Sequence, residues 1–190
     1  MNNKTGILNR ISRNKPGRTP HPGAFHEFKE STSWENKLAT FQENLDKNGA
    51  QVNLFGNKGS FKAYIDEHYS SAIDFREPEN FWNYTGEAQK EKLERTNIIL
   101  EGQFGVAENG AVWFDESNFP LRILPFITNT LIVTLAKTEI VNNMHEAYNR
   151  LGDIDTGFGV FISGPSKTAD IEQNLVFGAH GAQKFHVLLG

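Results

Sequence analysis

The sequence predicts an α/β domain built on a mostly parallel sheet flanked by helices on both faces. Two observations carry this. Short apolar runs alternate with helix-spaced stripes along most of the chain, the order that produces parallel sheets covered by helices. Several of these runs, Thr130–Leu135 above all, are β-branched and apolar without polar alternation, as in strands buried on both faces.

The elements follow in order. Thr5–Arg13 is a short basic amphipathic segment with Ile7, Leu8 and Ile11 clustered, and Asn14–Gly23, with three prolines and two glycines, reads as an irregular linker. Trp34, Leu38, Phe41 and Leu45 recur at helical spacing until Gly49 stops them. Gln51–Phe55 reads as a strand, Ser60–Tyr69 as a helix, Ala72–Phe75 as a short strand and Gly86–Arg95 as an exposed helix. Asn97–Phe104 and Ala111–Phe114 are apolar runs, and Ile140, Met144, Tyr148 and Leu151 form a helical stripe ended by Gly152. At the end, Val160–Ser163 reads as a strand, Thr168–Phe177 as a helix with Ile171, Leu175 and Val176 on one side, and Phe185–Leu189 as a second strand. That is a βαβ unit, whose strand-to-helix turn is where open α/β sheets hold ligands. The expected organisation is an arm over residues 1–32 and a single α/β domain over residues 33–190.

Composition narrows the function classes. At 190 residues with 38% hydrophobic content and 15 Phe, the chain can bury a full core. A net charge of −4 and a pI near 5.9 give no reason to expect nucleic acid as a partner. There is no cysteine, hence no disulfide, thiol nucleophile or thiolate ligand for an iron–sulfur cluster. No apolar leader is evident and Leu121–Ala136 is too short and polar to span a bilayer, so the expected location is the cytoplasm. No two of the six histidines are four apart, and no metal site is expected.

Three turns hold the candidate chemistry. Gly164, Ser166, Lys167 and Thr168 would sit at a helix N-terminus, where N–H groups, hydroxyls and an ammonium hold a phosphate or carboxylate. A Ser166 or Thr168 cap beside a solvated Lys167 explains the same residues. Gly159 and Gly164 have Walker A spacing, but Pro165 and Ser166 follow in place of its Lys and Ser/Thr. Asp170 is either a crevice carboxylate or, with Glu172, a complement to the helix dipole. His180, between glycines, is an acid–base or ligand-holding group, or a hydrogen-bonded turn residue. His186 reads as packed in its strand. Glu108, Asn109 and Gly110 form the third turn, with Asn-Gly a tight-turn signal.

GPSKTADIE (Gly164–Glu172) followed by GAHG (Gly178–Gly181) and an apolar strand resembles the C-terminal signature of the LUD-domain family, which includes the lactate-utilisation protein C group. ILNRI (Ile7–Ile11), GVAENGAVWF (Gly105–Phe114), Arg122 and Leu124–Pro125 fall in family order. The resemblance implies a NagB/RpiA/CoA-transferase-like fold and a part in oxidising L-lactate to pyruvate. E-N-G is also similar to the signature around the glutamate nucleophile of class I CoA-transferases, which would make Glu108 catalytic. The chain departs from the family at Asn109, where Thr is usual, at Phe126–Asn129, which lacks a His, and at Ala182, where Pro is usual. The catalytic candidates are therefore Lys167, Asp170, His180 and Glu108, and the ligand-binding candidates Gly164, Ser166, Thr168, Asn109 and Gly110. The expected role is a non-redox subunit with no intrinsic cofactor, iron–sulfur or flavin centres being carried by partner proteins. A small anionic ligand and a homodimer are further expectations. The alternatives are a stand-alone enzyme on a CoA thioester or phosphorylated molecule, and an anion-binding regulatory module.

Overall fold

The computed structural model describes residues 3–14, 34–56, 59–85, 90–152, 157–169, 175–177 and 181–190. The chain divides into two units, Met1–Glu30 and Ser31–Gly190. The first contains helix α1 (Asn3–Arg13), with Arg10 and Arg13 in its last turn, where cations suit the helix dipole. Ile7, Leu8 and Ile11 on this helix are exposed. The Asn14–Gly23 linker lies, after Asn14, outside the described residues.

The second unit is built on a five-stranded parallel sheet in the order β1 (Gln51–Leu54), β11 (Lys184–Leu189), β6 (Thr130–Leu135), β3 (Asn97–Glu101), β2 (Ile73–Asp74). Every residue of β6 is buried, as expected for an unalternating β-branched run covered on both sides. Along the central strands successive side chains serve different layers. Ile99, Ile132 and Leu188 face α3 (Ser60–His68) through Phe61 and Ile65. Ile98, Leu100, Leu131, Val133, Phe185 and Val187 join the main core with Phe41 and Leu45 of α2 (Trp34–Lys47).

The main core is shared with a second sheet that the sequence reading did not anticipate. Its order is β7 (Ile140–Val141), β4 (Phe104–Val106), β5 (Ala111–Asp115), β8 (Gly159–Ile162), with β5 antiparallel to β4 and β8 and β7 parallel to β4. Its outer side packs Phe104, Val106 and Trp113 against Ala147 of α7 (Met144–Leu151). The parallel sheet thus has α3 on one face, and α2 together with the second sheet on the other. Three short helices, α4 (Pro78–Asn83), α5 (Lys90–Leu93) and α6 (Leu124–Ile127), complete the unit. Among the described residues no helix is long and apolar enough to cross a membrane.

The βαβ reading of the C-terminal region is corrected. β8 pairs antiparallel with β5 at the edge of the second sheet, and its residues are exposed or half-buried. In place of a helix over Thr168–Phe177, the structure has β9 (Lys167–Ala169) antiparallel to β10 (Leu175–Phe177), with Val176 opposite Thr168. Ile171, Leu175 and Val176 made only a thin helical stripe. Thr168, Val176 and Phe177 are β-branched or aromatic, and pairing them locally satisfies the backbone better.

His186 is 7% exposed, and its Nδ1 pairs with the Tyr69 hydroxyl. Burial, with Tyr64 adjacent, pushes Tyr69 up to about 12, so Tyr69 keeps its proton. The other ring nitrogen, Nε2, is buried and has no hydrogen-bond partner among the described residues. Burial first, and Lys184 second, lower the His186 pKa.

Two outcomes follow. Above the unfolded histidine value of about 6.5 both states are neutral at His186 and it imposes no pH dependence. Below it the unfolded chain takes the proton first, so stability falls with decreasing pH by at most about 1.4 kcal/mol per unit until the lower folded pKa is passed. Urea midpoints between about pH 7 and 5 should show this slope, and His186→Phe should flatten it. Gly110→Ala is expected to cost about 2 kcal/mol, because Gly110 has φ +67° and a Cβ there would lie 2.8 Å from the Leu45 nitrogen. Gly56→Ala, where no described atom lies within 4 Å of an added Cβ, should stay within about 0.5 kcal/mol.

Candidate functional site

Two of the motif turns, far apart in sequence, meet at the C-terminal end of α2. That helix closes with Gly49 at φ +83°, where Ala50 N–H donates to Leu45 O at 2.9 Å and Gly49 N–H to Asp46 O at 2.8 Å. This is a Schellman pattern, and it leaves Asn44 and Asn48, four apart, on one face. The Asn44 amide donates to Ala107 O at 2.8 Å and Glu108 O at 3.0 Å, and Asn48 donates to Asn109 O at 2.9 Å. Three successive carbonyls of the β4–β5 turn are thereby held by two side chains.

Asn48 also donates to Ser163 Oγ at 2.6 Å, and that hydroxyl donates in turn to Asn109 O. Asn109 Oδ1 accepts from Ala111 N–H at 3.0 Å, which fixes the turn internally. Gly164 lies against the Asn48 carbonyl, at 2.8 Å from where a Cβ would stand. Lys167 is exposed, and its Nζ lies 3.6 Å from the corresponding position on Gly49. The structure therefore brings Asn109, Gly110, Gly164 and Lys167 together, with Lys167 beside the negative end of α2 rather than at the start of a helix.

The other candidates are placed differently. The Glu108 carboxylate accepts from Met144 N–H at 2.9 Å, at the start of α7, where Asn143 caps Glu146 N–H at 2.9 Å. Its geometry is that of an anion stabilising a helix N-terminus. Ser166 N–H donates to Ala182 O at 2.8 Å, and Ser166 Oγ would lie 3.3 Å from a Cβ on Gly181. That amide is occupied in tying the turn to the approach of β11, and among the described residues Lys167–Ala169 form a strand in place of the first helical turn expected there. Thr168 falls on β9. Asp170 and His180 lie outside the described residues. Arg122 pairs with Glu116 at 2.7 Å and stands over the Phe158 ring, and this pairing first, then Gly157 N–H, holds Glu116 below the usual carboxylate range.

Sequence reasoning missed Asn44, Asn48 and Ser163. The available signal was a pair of asparagines at i, i+4 just before the helix-stopping Gly49, a spacing that points both amides the same way.

The LUD domain model matches residues 78–189. This chain belongs to the LUD-domain family. Curated relatives are the Lactate utilization protein C of Geobacillus thermodenitrificans, 34% identical over 111 residues (54% of this chain, 46% of the relative), and that of Anoxybacillus flavithermus, 33% identical over 126 residues (63% and 57%). That of Bacillus subtilis is 33% identical over 111 residues (55% and 46%). The chain spans about half the length of these relatives. A crystal structure of a DUF162 family protein from Deinococcus radiodurans superposes with a TM-score of 0.59 at 13% identity, covering 83% of this chain and 98% of that one. It shares the α/β fold.

Asn48→Ala removes both donors of a half-buried amide and leaves Asn109 O and Ser163 without that partner. The loss is expected to be about 1–3 kcal/mol. A double-mutant cycle with Ser163→Ala should give a coupling of at least about 0.5 kcal/mol in thermal unfolding.

Proposed function

We propose that this LUD-domain protein acts in L-lactate utilisation as a subunit without a redox centre of its own. The observation that carries this reading is the name shared by its curated relatives, Lactate utilization protein C. The sequence agrees with it. Oxidation of lactate to pyruvate removes two electrons, which need an acceptor. With no cysteine, this chain has no thiolates to ligate an iron–sulfur cluster. No G-x-G-x-x-G turn follows any of its strands; Gly102, Gly105 and Gly110 come nearest and have the wrong spacing. On this reading the acceptor is an iron–sulfur or flavin group on partner proteins in the cytoplasm. The chain contributes a positioning surface, self-associated as a homodimer.

Lys167 is the group on that surface suited to a carboxylate. It is exposed and opens β9, four residues after Ser163, whose hydroxyl is held between Asn48 and Asn109. An exposed ammonium beside an anchored segment lets a small anion be held with little backbone reorganisation. Asp170 and His180 are proposed to act with it.

The isolated chain is expected not to oxidise L-lactate with any soluble acceptor. Deleting its gene should abolish growth on lactate, and Lys167→Ala, Asp170→Asn and His180→Ala should each reduce growth of the complemented strain. Lactate turnover by the isolated chain, or unchanged growth of the deletion strain, would falsify the reading.

A further inference from the structure

A second polar site lies away from the turns just described. β3 and β6 are neighbours in the parallel sheet, and both leave it at their carboxyl ends for the second sheet. β3 passes through Gly102 and Gln103 into β4, while β6 passes through Ala136 and a 3-10 turn, Lys137–Glu139, into β7. Between the two departing segments lies a crevice of about 590 Å³, lined by Glu101, Gln103, Ser117, Asn118, Thr138 and Glu139, with backbone from Gly102 and Ala136. It opens at the carboxyl ends of adjacent parallel strands, and its size suits a small molecule.

The wall is held in one arrangement. Gln103 Nε2 donates to Asn118 Oδ1 at 3.0 Å, Asn118 Nδ2 to Glu101 O at 3.0 Å, and Asp115 N–H to Asn118 Oδ1 at 2.9 Å. Behind it, burial would raise the Asp115 carboxyl, but donors from Ser117 and Gln103 outweigh it and hold the group below its ordinary value. Charge is balanced from outside. Arg150 pairs with Glu139, and Arg76, whose proton is held first by Asp74, also feels Glu101. Among the described residues no Lys or Arg lines the crevice, which disfavours an anion, and the compensated carboxylates disfavour a simple cation. What remains is two carboxylates able to accept from hydroxyls, with the Ser117 and Thr138 hydroxyls beside them.

We infer that this crevice binds a neutral polyhydroxylated molecule of about monosaccharide size, its vicinal hydroxyls donating to Glu101 and Glu139. The inference does not rest on the lactate reading. The test is a titration of the full chain with D-ribose, followed in amide proton–nitrogen correlation spectra, with parallel titrations of L-lactate and tetramethylammonium. Ribose is expected to give saturable shifts at Gly102, Gln103, Ser117 and Thr138, and the other two none there. Glu101→Ala should raise the ribose Kd at least about tenfold, the worth of one charge-assisted bond. Thr138→Val, a smaller change at an exposed position, should weaken it several-fold and serves if Glu101→Ala disturbs the fold. No ribose shifts, shifts confined to other regions, an equal response to lactate or tetramethylammonium, or ribose binding unaltered in both variants would overturn the inference.

Discussion

The clamp that Asn44 and Asn48 place on the β4–β5 turn is the interaction on which the rest of the second unit depends. Carbonyls 107, 108 and 109 point toward a helix end, away from any strand partner, and orphaned carbonyls in such a place are costly. The two amides satisfy all three from a rigid helix whose own end is closed by Gly49. Gly110 then fits against the backbone of α2 at a distance no side chain would tolerate. Through this joint the orientation of the second sheet is tied to the helix that covers the first.

That joint also explains why one region of the surface collects residues from three segments. α2 supplies Asn48, the hairpin supplies Asn109, and the strand exit after β8 supplies Ser163 and Gly164. Side chains make the connection between the three segments. Lys167 extends from the same strand exit over Gly49, its backbone set by the β9–β10 pairing.

Much of the architecture was legible in the sequence because the strongest signals are local. Thr130–Leu135 could only be a buried strand, and the Trp34–Leu45 stripe with its terminal Gly could only be a helix; both stand where expected. The second sheet was hidden because its strands are short, and strand exchange between layers leaves no periodicity to read. The C-terminal hairpin was missed for a related reason: a glycine–proline break followed by acids imitates a helix start, while strand pairing is a property of two segments that neither announces alone. At the candidate site, the turns themselves were found, since Gly, Asn and Pro mark them. What joins them was not, because an asparagine on a helix gives no sign of which distant carbonyl it will meet.

The parallel sheet has a temporal consequence. Among the described residues β1 pairs only with β11, with Gln51 opposite His186, so the chain between them must be made before that ladder can form. At synthesis rates of ~5–20 residues per second, the newly made β1 stands unpaired for on the order of ten seconds. α2 and α3 can form meanwhile from local interactions, but the sheet surface they cover is incomplete until β11 inserts between β1 and β6. Closure is therefore an insertion rather than an addition at an edge. During the wait, the nascent protein exposes the strand flanks that other chains could pair with, and holding chaperones would act in this interval.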